Sequence, residues 1–210
     1  MSNPEPLLYG TYYHIYNRGN NGENIFFEKR NYPYFLELYT KYIVPIADTY
    51  AYVLLRNHFH FGVRIKEKEE ILQINRNLSG LPDLTGLSDK LPSQKFANFF
   101  NAYAKSINKS YNRSGALFER PFGRKMITGE AHFVHLIKYI HFNPQKHGFI
   151  DDFREWKHSS YEALCSSTPT KLNRKQVLWY FGGLEAFKKE HQNEVIDNDF
   201  VQRFVDEDVD

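Results

Sequence analysis

Residues 51–65, AYVLLRNHFHFGVRI, constrain the fold more than any other part of the chain. The segment is apolar and β-branched at both ends, and it carries His58 and His60 two positions apart. Side chains at i and i+2 of a strand point to the same face, so the two imidazoles are expected side by side, with Phe59 aimed the other way. A His-x-His pair fits either two ordinary strand histidines or a metal site. Cationic side chains around the pair would repel a bare metal ion, so they favour a metal that binds together with an anion such as a phosphate.

The same segment alternates between apolar and polar side chains. Odd positions are apolar (Val53, Leu55, Phe59, Phe61, Val63, Ile65), and the polar residues Arg56, His58, His60 and Arg64 are even. This pattern predicts a half-buried strand with one core face and one polar, cationic face. Asn57 is typical of a tight turn, which would divide the segment into a hairpin and leave both histidines on one face.

Helical and strand patterns flank the histidine segment. The order strand, helix, strand pair, helix, strand, helix favours an α+β fold in which an antiparallel sheet carries helices packed on one face. A polar stretch at 67–94 is predicted to be a mobile insert with a short helical possibility near Glu69–Leu78. The predicted elements are strands at 9–18, 51–65 and 116–127 and helices at 31–47, 93–112 and 128–142.

The last predicted helix carries a polar stripe. With 3.6 residues per turn, His132, His135, Tyr139 and Asn143 lie along one side. A tyrosine on an amphipathic helix usually belongs to the core, but this stripe predicts that Tyr139 is displayed rather than buried. Pro144 is expected just beyond the end of the helix.

Positive charge is concentrated in one part of the chain. Residues 95–125 hold seven Lys and Arg residues against Glu119 alone, although the net charge of the chain is only +2. Such a segment beside aromatic residues is typical of nucleic-acid binding, and its alternative is a solvated helix face. The acidic end, VDEDVD, is expected to fray.

Composition excludes several classes of protein. The single Cys165 excludes internal disulfides and any multi-cysteine zinc site. No apolar run approaches the roughly 20 residues that span a bilayer, and the first residues lack the pattern of a signal peptide. We therefore expect a soluble, cytoplasmic protein without a membrane partner.

Four segments together resemble a known family. They are YHIYNRG (13–19), NHFH (57–60), SGALFERPFGRKMI (114–127) and YIHFNPQKHGFI with WKHSSY (139–161). In this order they are similar to the REP-associated tyrosine transposases (RAYTs) and their insertion-sequence 200-type relatives, the single-tyrosine HUH (His-hydrophobic-His) transposases. The resemblance covers about residues 8–165, so we expect a transposase domain at 1–165 and a helical, acidic appendage at 166–210.

The resemblance implies a fold, a reaction and a site. It implies a ferredoxin-like or RRM-like sandwich that nicks and rejoins single-stranded DNA near hairpins, by transesterification through a 5′-phosphotyrosine intermediate. Tyr139 matches the family's nucleophile, and His58, His60 and Asn143 match its metal-binding residues. Mg²⁺ or Mn²⁺ is the expected cofactor, and Mn²⁺ suits imidazole better.

Basic residues are candidates for contacts with the DNA backbone. They are Arg18, Arg56, Arg64, Lys105, Lys109, Arg113, Arg120, Arg124 and Lys125. Single-stranded or hairpin DNA is the expected partner, and the family leaves a homodimer possible.

Two alternatives remain. One is a domesticated protein that binds DNA hairpins without catalysis, and the other is a different HUH nuclease such as a plasmid relaxase or replication initiator. The complete catalytic set favours the transposase over the binder, and the motif order disfavours the other nucleases. Five other histidines of the matched region are expected at the surface or in loops, with a role for His135 in assisting proton transfer as an alternative: His14, His132, His135, His141 and His147.

Overall fold

The computed structural model of the chain describes residues 6–79 and 88–192. Its strands are β1 (Tyr12–Arg18), β2 (Ala47–Leu54), β3 (His58–Ile65) and β4 (Gly123–Met126). Its helices are α1 (Asn31–Tyr42), α2 (Lys68–Ser79), α3 (Leu91–Ser110), α4 (Glu130–Lys146), α5 (Tyr161–Cys165), α6 (Arg174–Phe181) and α7 (Leu184–Glu190).

The four strands form one antiparallel sheet in the order β2-β3-β1-β4. With α1 after β1 and α3 before β4, this is the ferredoxin-like arrangement, and the predicted α+β class is confirmed. The hairpin predicted at Asn57 is also confirmed, because β2 ends at Leu54 and β3 begins at His58. Carbonyls of the turn accept hydrogen bonds from Gly19 and Ile25 backbone amides, which ties the turn to the loop after β1.

One face of the sheet packs against α1 and α3. Phe59 and Phe61 of β3 point to this face, as their odd positions predict, and both are buried. The Tyr39 ring of α1 stacks on Phe61 with centroids 4.4 Å apart, and Phe35 packs against Phe99 of α3 at 4.7 Å. This aromatic core is the helix-covered face that the sequence predicts.

The opposite face is covered as well, which corrects the expectation of helices on one face and an open polar face. Helix α4 lies across β2 and β3 and buries Leu136, Ile137 and Ile140 against them. Val53 and Leu55 belong to this second core and not to the first. Their apparent continuity with Phe59 was misleading because the hairpin turn interrupts the alternation, and the register pairs Val53 with His60 and Leu54 with Phe59.

Residues after 166 complete the second core. Val177 and Phe181 of α6 and Phe187 of α7 are buried together with residues of α4. Gln176 bridges the sheet, accepting a hydrogen bond from the Tyr50 hydroxyl and donating to the Tyr12 hydroxyl at 2.9 Å. The C-terminal helices therefore support the helix that carries Tyr139.

Element boundaries depart from the prediction at two places. Helix α4 continues to Lys146 with Pro144 inside its last turn, which closes through hydrogen bonds from the His147 amide to the carbonyls of Asn143 and Gln145. The strand predicted at 116–127 is regular only from Gly123, because its earlier part turns through Pro121 and meets the sheet only at a bridge from Phe118 to Gly19.

The polar segment 67–94 is helical over α2, as its periodicity suggests near Glu69–Leu78, and it leads into α3. The rest of the predicted mobile insert, residues 80–87, lies outside the described residues, as does the acidic VDEDVD end. Among the residues described, no helix combines the length and the apolar character needed to cross a bilayer.

Candidate functional site

The antiparallel register of β1 and β3 gathers polar rings on the α4 face of the sheet. His60 lies opposite Tyr16, and His58 lies opposite Arg18. The ring of His14 stacks on that of His60 with centroids 5.1 Å apart, and its Nε2 lies 2.9 Å from the Nδ1 of His60. The predicted histidine pair is therefore brought together, within a larger group of rings.

Helix α4 brings Asn143 onto this group. The Nε2 of His58 lies 3.0 Å from the Oδ1 of Asn143, and its Nδ1 lies 2.8 Å from the Oδ1 of Asn57. When Nδ1–H donates to Asn57, Nε2 carries a lone pair and faces an amide oxygen that also carries lone pairs. Two such atoms at this distance suit a shared cation.

Tyr139 lies on the same side of α4, one turn before Asn143. Its ring meets His60 edge to face with centroids 5.5 Å apart, and it also contacts His14 at 6.0 Å. The structure therefore places the predicted nucleophile beside one member of the predicted metal-binding pair, His60.

The prediction that Tyr139 is displayed is wrong, since only 1% of the residue is exposed. The polar stripe of α4 faces the polar rings of the sheet and not solvent, so a polar stripe here marks an internal site. Lys146, which is exposed, places its Nζ 5.2 Å from the centroid of the Tyr139 ring.

Burial governs the protonation of His60. Desolvation holds the pKa of His60 well below its usual value, and the charges of His58, His147 and Lys146 act in the same direction, against a hydrogen bond from Asn143. A neutral imidazole is the form that binds metal ions.

The side chains that could bind a metal ion at this site are of two chemical types, imidazole and amide. Within residues 6–79 and 88–192, no group of three or more His, Cys, Asp or Glu side chains is placed to hold a metal ion. A metal here would rest on His58, His60 and the amide of Asn143, with further oxygen ligands from phosphate and water, and such a set fits Mg²⁺ or Mn²⁺.

His14 was not expected in the site, and three of the histidines that were expected at the surface or in loops are buried. His14, His132 and His141 are buried, whereas His135 is half-buried and His147 is exposed. The sequence does carry a signal for His14. It lies two positions before Tyr16 in β1, so the two side chains share a face of the sheet. It also belongs to the YHIYNRG segment, which carries part of the family resemblance. Its register with β3 was not predictable from local pattern.

The predicted basic residues divide into several groups. Lys125 is paired with His14 across β1 and β4 and so shares the face of the site. Arg124 points to the other face, where its guanidinium lies 3.8 Å from the Phe122 ring centroid and donates to the Ser93 hydroxyl. Burial lowers the pKa of Arg124. Exposed candidates are Arg56, Lys105, Lys109 and Arg120.

Three other predicted basic residues contact carboxylates. Arg64 donates to Asp48 and to Glu70, both at 2.8 Å. Arg18 pairs with Glu119, and Arg113 pairs with Glu23.

Comparisons with known proteins agree with this architecture. No protein-family model matches the chain. Over 114 residues, or 54% of the chain, the sequence is 25% identical to a Haemophilus influenzae protein named as a REP-associated tyrosine transposase. The aligned part spans 58% of that relative, less than two thirds of its length.

The fold gives a second match. The chain superposes on the structure of a REP-associated tyrosine transposase bound to a REP hairpin with a TM-score of 0.54 and 14% sequence identity. This match covers 78% of the present chain and 83% of the other. In both sequence and fold, the chain resembles the REP-associated tyrosine transposases.

Proposed function

We propose that this protein is a metal-dependent transposase that nicks and rejoins single-stranded DNA beside hairpins. The observation that carries the proposal is the position of Tyr139, whose ring lies against His60 while Asn143, one turn later, meets His58. The names of the relatives add support, since one of them is bound to a REP hairpin.

In the proposed reaction, the phenol of Tyr139 loses its proton and its oxygen attacks the scissile phosphorus. A bond forms between that oxygen and phosphorus while the bond to the 3′ oxygen breaks. The leaving 3′ oxygen takes up a proton, so the products are a 5′-phosphotyrosine and a free 3′ hydroxyl. The covalent link preserves the energy of the phosphodiester, so rejoining by a 3′ hydroxyl requires no nucleotide cofactor.

The chain's own residues prepare this step. His58, His60 and Asn143 would hold Mg²⁺ or Mn²⁺, which when bound supplies Lewis-acid stabilisation of the charge that develops on the phosphate. The sheet and α4 fix the direction of the Tyr139 ring, which is packed within the second core. Lys146 is exposed and close to the Tyr139 ring, so its charge would attract the DNA backbone.

The test is a nicking assay on a labelled DNA hairpin with single-stranded flanks. We expect cleavage with Mn²⁺ or Mg²⁺, none in the presence of EDTA, and loss of cleavage with retained binding for His60→Ala. Cleavage that continues in EDTA would contradict the metal dependence.

The burial of Tyr139 is the one observation that favours the second candidate, a hairpin-binding protein without catalysis. Attack requires that the phosphate reach a side chain that is only 1% exposed. Binding of the hairpin without cleavage under every metal condition would support this candidate.

The possible homodimer also stays a prediction, and the structure limits how it could form. Backbone groups of β2 bond to residues 158–160 and 173, so this edge of the sheet is already occupied. Strand β4, with exposed Met126, is the edge left for pairing within the described sheet. Light scattering of the purified protein would give its mass in solution.

A further inference from the structure

A series of rings leads away from the histidine site along the protein surface. The Phe149 ring lies 6.4 Å from that of His58, and Trp156 lies 5.9 Å from Phe149. His158 follows at 5.8 Å from Trp156. Phe149, Trp156 and His158 are all half-buried residues.

Hydrogen bonds and ring stacking hold this series of rings against the protein. The indole N–H of Trp156 donates to the Leu54 carbonyl at 3.0 Å, and the His158 carbonyl accepts from the Leu54 amide at 2.9 Å. The His158 ring stacks on buried Tyr32 with centroids 3.6 Å apart and planes 4° apart. The rings are therefore held in place before any ligand arrives, which lowers the entropic cost of binding.

Three cationic side chains lie near these rings. The charges of Lys157 and Lys29 act on His158, and the charge of Arg56 acts on Tyr32 beneath it. All three cationic side chains are exposed, and none forms an ion pair with another residue of the described chain. This contrasts with Arg18, Arg64 and Arg113, which contact carboxylates.

We propose that this aromatic–cationic track, formed by Phe149, Trp156, His158, Lys29, Arg56 and Lys157, binds the single-stranded DNA that flanks the scissile phosphate. Half-buried rings can stack only bases that are not paired, and the cations match a phosphate backbone. Because the track begins at His58, a strand that follows it would deliver one of its phosphates to the histidine site. This inference rests on the proposed function and deepens it, by naming where the unpaired strand lies.

The test compares two charge-matched variants. K29A/R56A/K157A removes the three cations of the track, and K41A/K171A/K175A removes three exposed lysines elsewhere. Side chains alone are changed, so the backbone bonds to the Arg56 carbonyl remain. Trp156 is left intact because its N–H is a structural donor.

Affinity is measured by fluorescence anisotropy with two probes. One is a blunt fluorescein-labelled DNA hairpin, and the other is the same hairpin with a single-stranded extension of about eight nucleotides, on the 5′ or the 3′ side. For one of the extended probes, we expect the track variant to bind roughly tenfold more weakly than the wild type, and the salt dependence of log Kd to fall by about 2, as loss of three single-strand phosphate contacts implies. The control variant should stay within about twofold.

A second pair of variants tests stacking. Phe149→Leu should weaken binding of the same extended probe, whereas Phe149→Tyr should preserve it. Equal affinities of the track variant and the control variant, or equal losses for blunt and extended probes, would overturn the inference. If the wild type nicks DNA and the track variant binds the extended probe as tightly as the wild type does, the inference about the track is wrong and the proposed function is retained. If the wild type binds no DNA, both the inference and the proposed function are wrong.

Discussion

At the scale of single residues, the site depends on close packing of aromatic rings. Gly123 of β4 lies beneath the Tyr16 ring, so closely that a Cβ atom there would overlap the ring. Tyr16 in turn lies against His14, with centroids 4.7 Å apart. A residue without a side chain at 123 therefore lets Tyr16 lie flat beside the histidines.

The first prediction compares two glycines. Gly123→Ala should lower the free energy of unfolding by ~1–3 kcal/mol, because the Tyr16 ring must move. Gly62→Ala is the matched control, since its Cβ would meet Ile140 and Leu136 at 3.5 and 3.6 Å, which is ordinary contact. We expect the control to change stability by no more than ~0.5 kcal/mol. Urea unfolding measures both, and an unperturbed Gly123→Ala protein would contradict the packing described.

At the scale of elements, a chain of hydrogen bonds joins α7, α4 and β2. Nδ1–H of His191 donates to the Phe187 carbonyl, and its Nε2 accepts from Nδ1–H of His141. Nε2 of His141 accepts from the Ser160 hydroxyl, whose oxygen accepts from the Tyr52 amide. In this arrangement both histidines are neutral, and a proton added to either one would break a bond.

The second prediction concerns pH. Burial lowers the pKa of His191 from 6.5 to about 4, and burial also holds the pKa of His141 far below its usual value. The unfolded chain takes up protons as the pH falls below about 6.5 while the folded chain does not, so stability is lost between about pH 6.5 and 4. The contribution of His191 is roughly 3 kcal/mol.

Chemical unfolding across this pH range measures the effect. His191→Gln should flatten the profile, because the amide can replace the hydrogen bonds and does not titrate. A variant profile as steep as that of the wild type would show that His191 is not the titrating group.

At the scale of the whole molecule, the sequence predicts much of the architecture and the central site. Alternation in 51–65 and the motif order predict the antiparallel sheet, the hairpin at Asn57 and the approach of α4 to the histidine pair, where Tyr139 meets His60 and Asn143 meets His58. Local pattern does not reveal that α4 covers the second face, because that depends on packing between distant segments. For the same reason, the local pattern wrongly predicts Tyr139 at the surface. It also does not place His14 in the site, because the position of His14 follows from strand register.

The third prediction tests the role of the C-terminal helices. A chain ending at residue 166 loses Val177, Phe181 and Phe187 from the second core. Buried side chains of this kind each contribute ~1.5–3 kcal/mol, so the loss should exceed about 5 kcal/mol and abolish cooperative unfolding. A normal thermal transition in the shorter chain, followed by circular dichroism, would contradict the packing described.

The proposed function depends on Tyr139 of α4 acting as the nucleophile beside the histidine pair. The most direct measurement is peptide mass spectrometry of the covalent DNA adduct, formed with a single-stranded hairpin substrate and Mn²⁺. We expect an adduct on the peptide that contains Tyr139, and no adduct for Tyr139→Phe, which should bind DNA as well as the wild type does. An adduct on another tyrosine, or cleavage that continues in Tyr139→Phe, would contradict it.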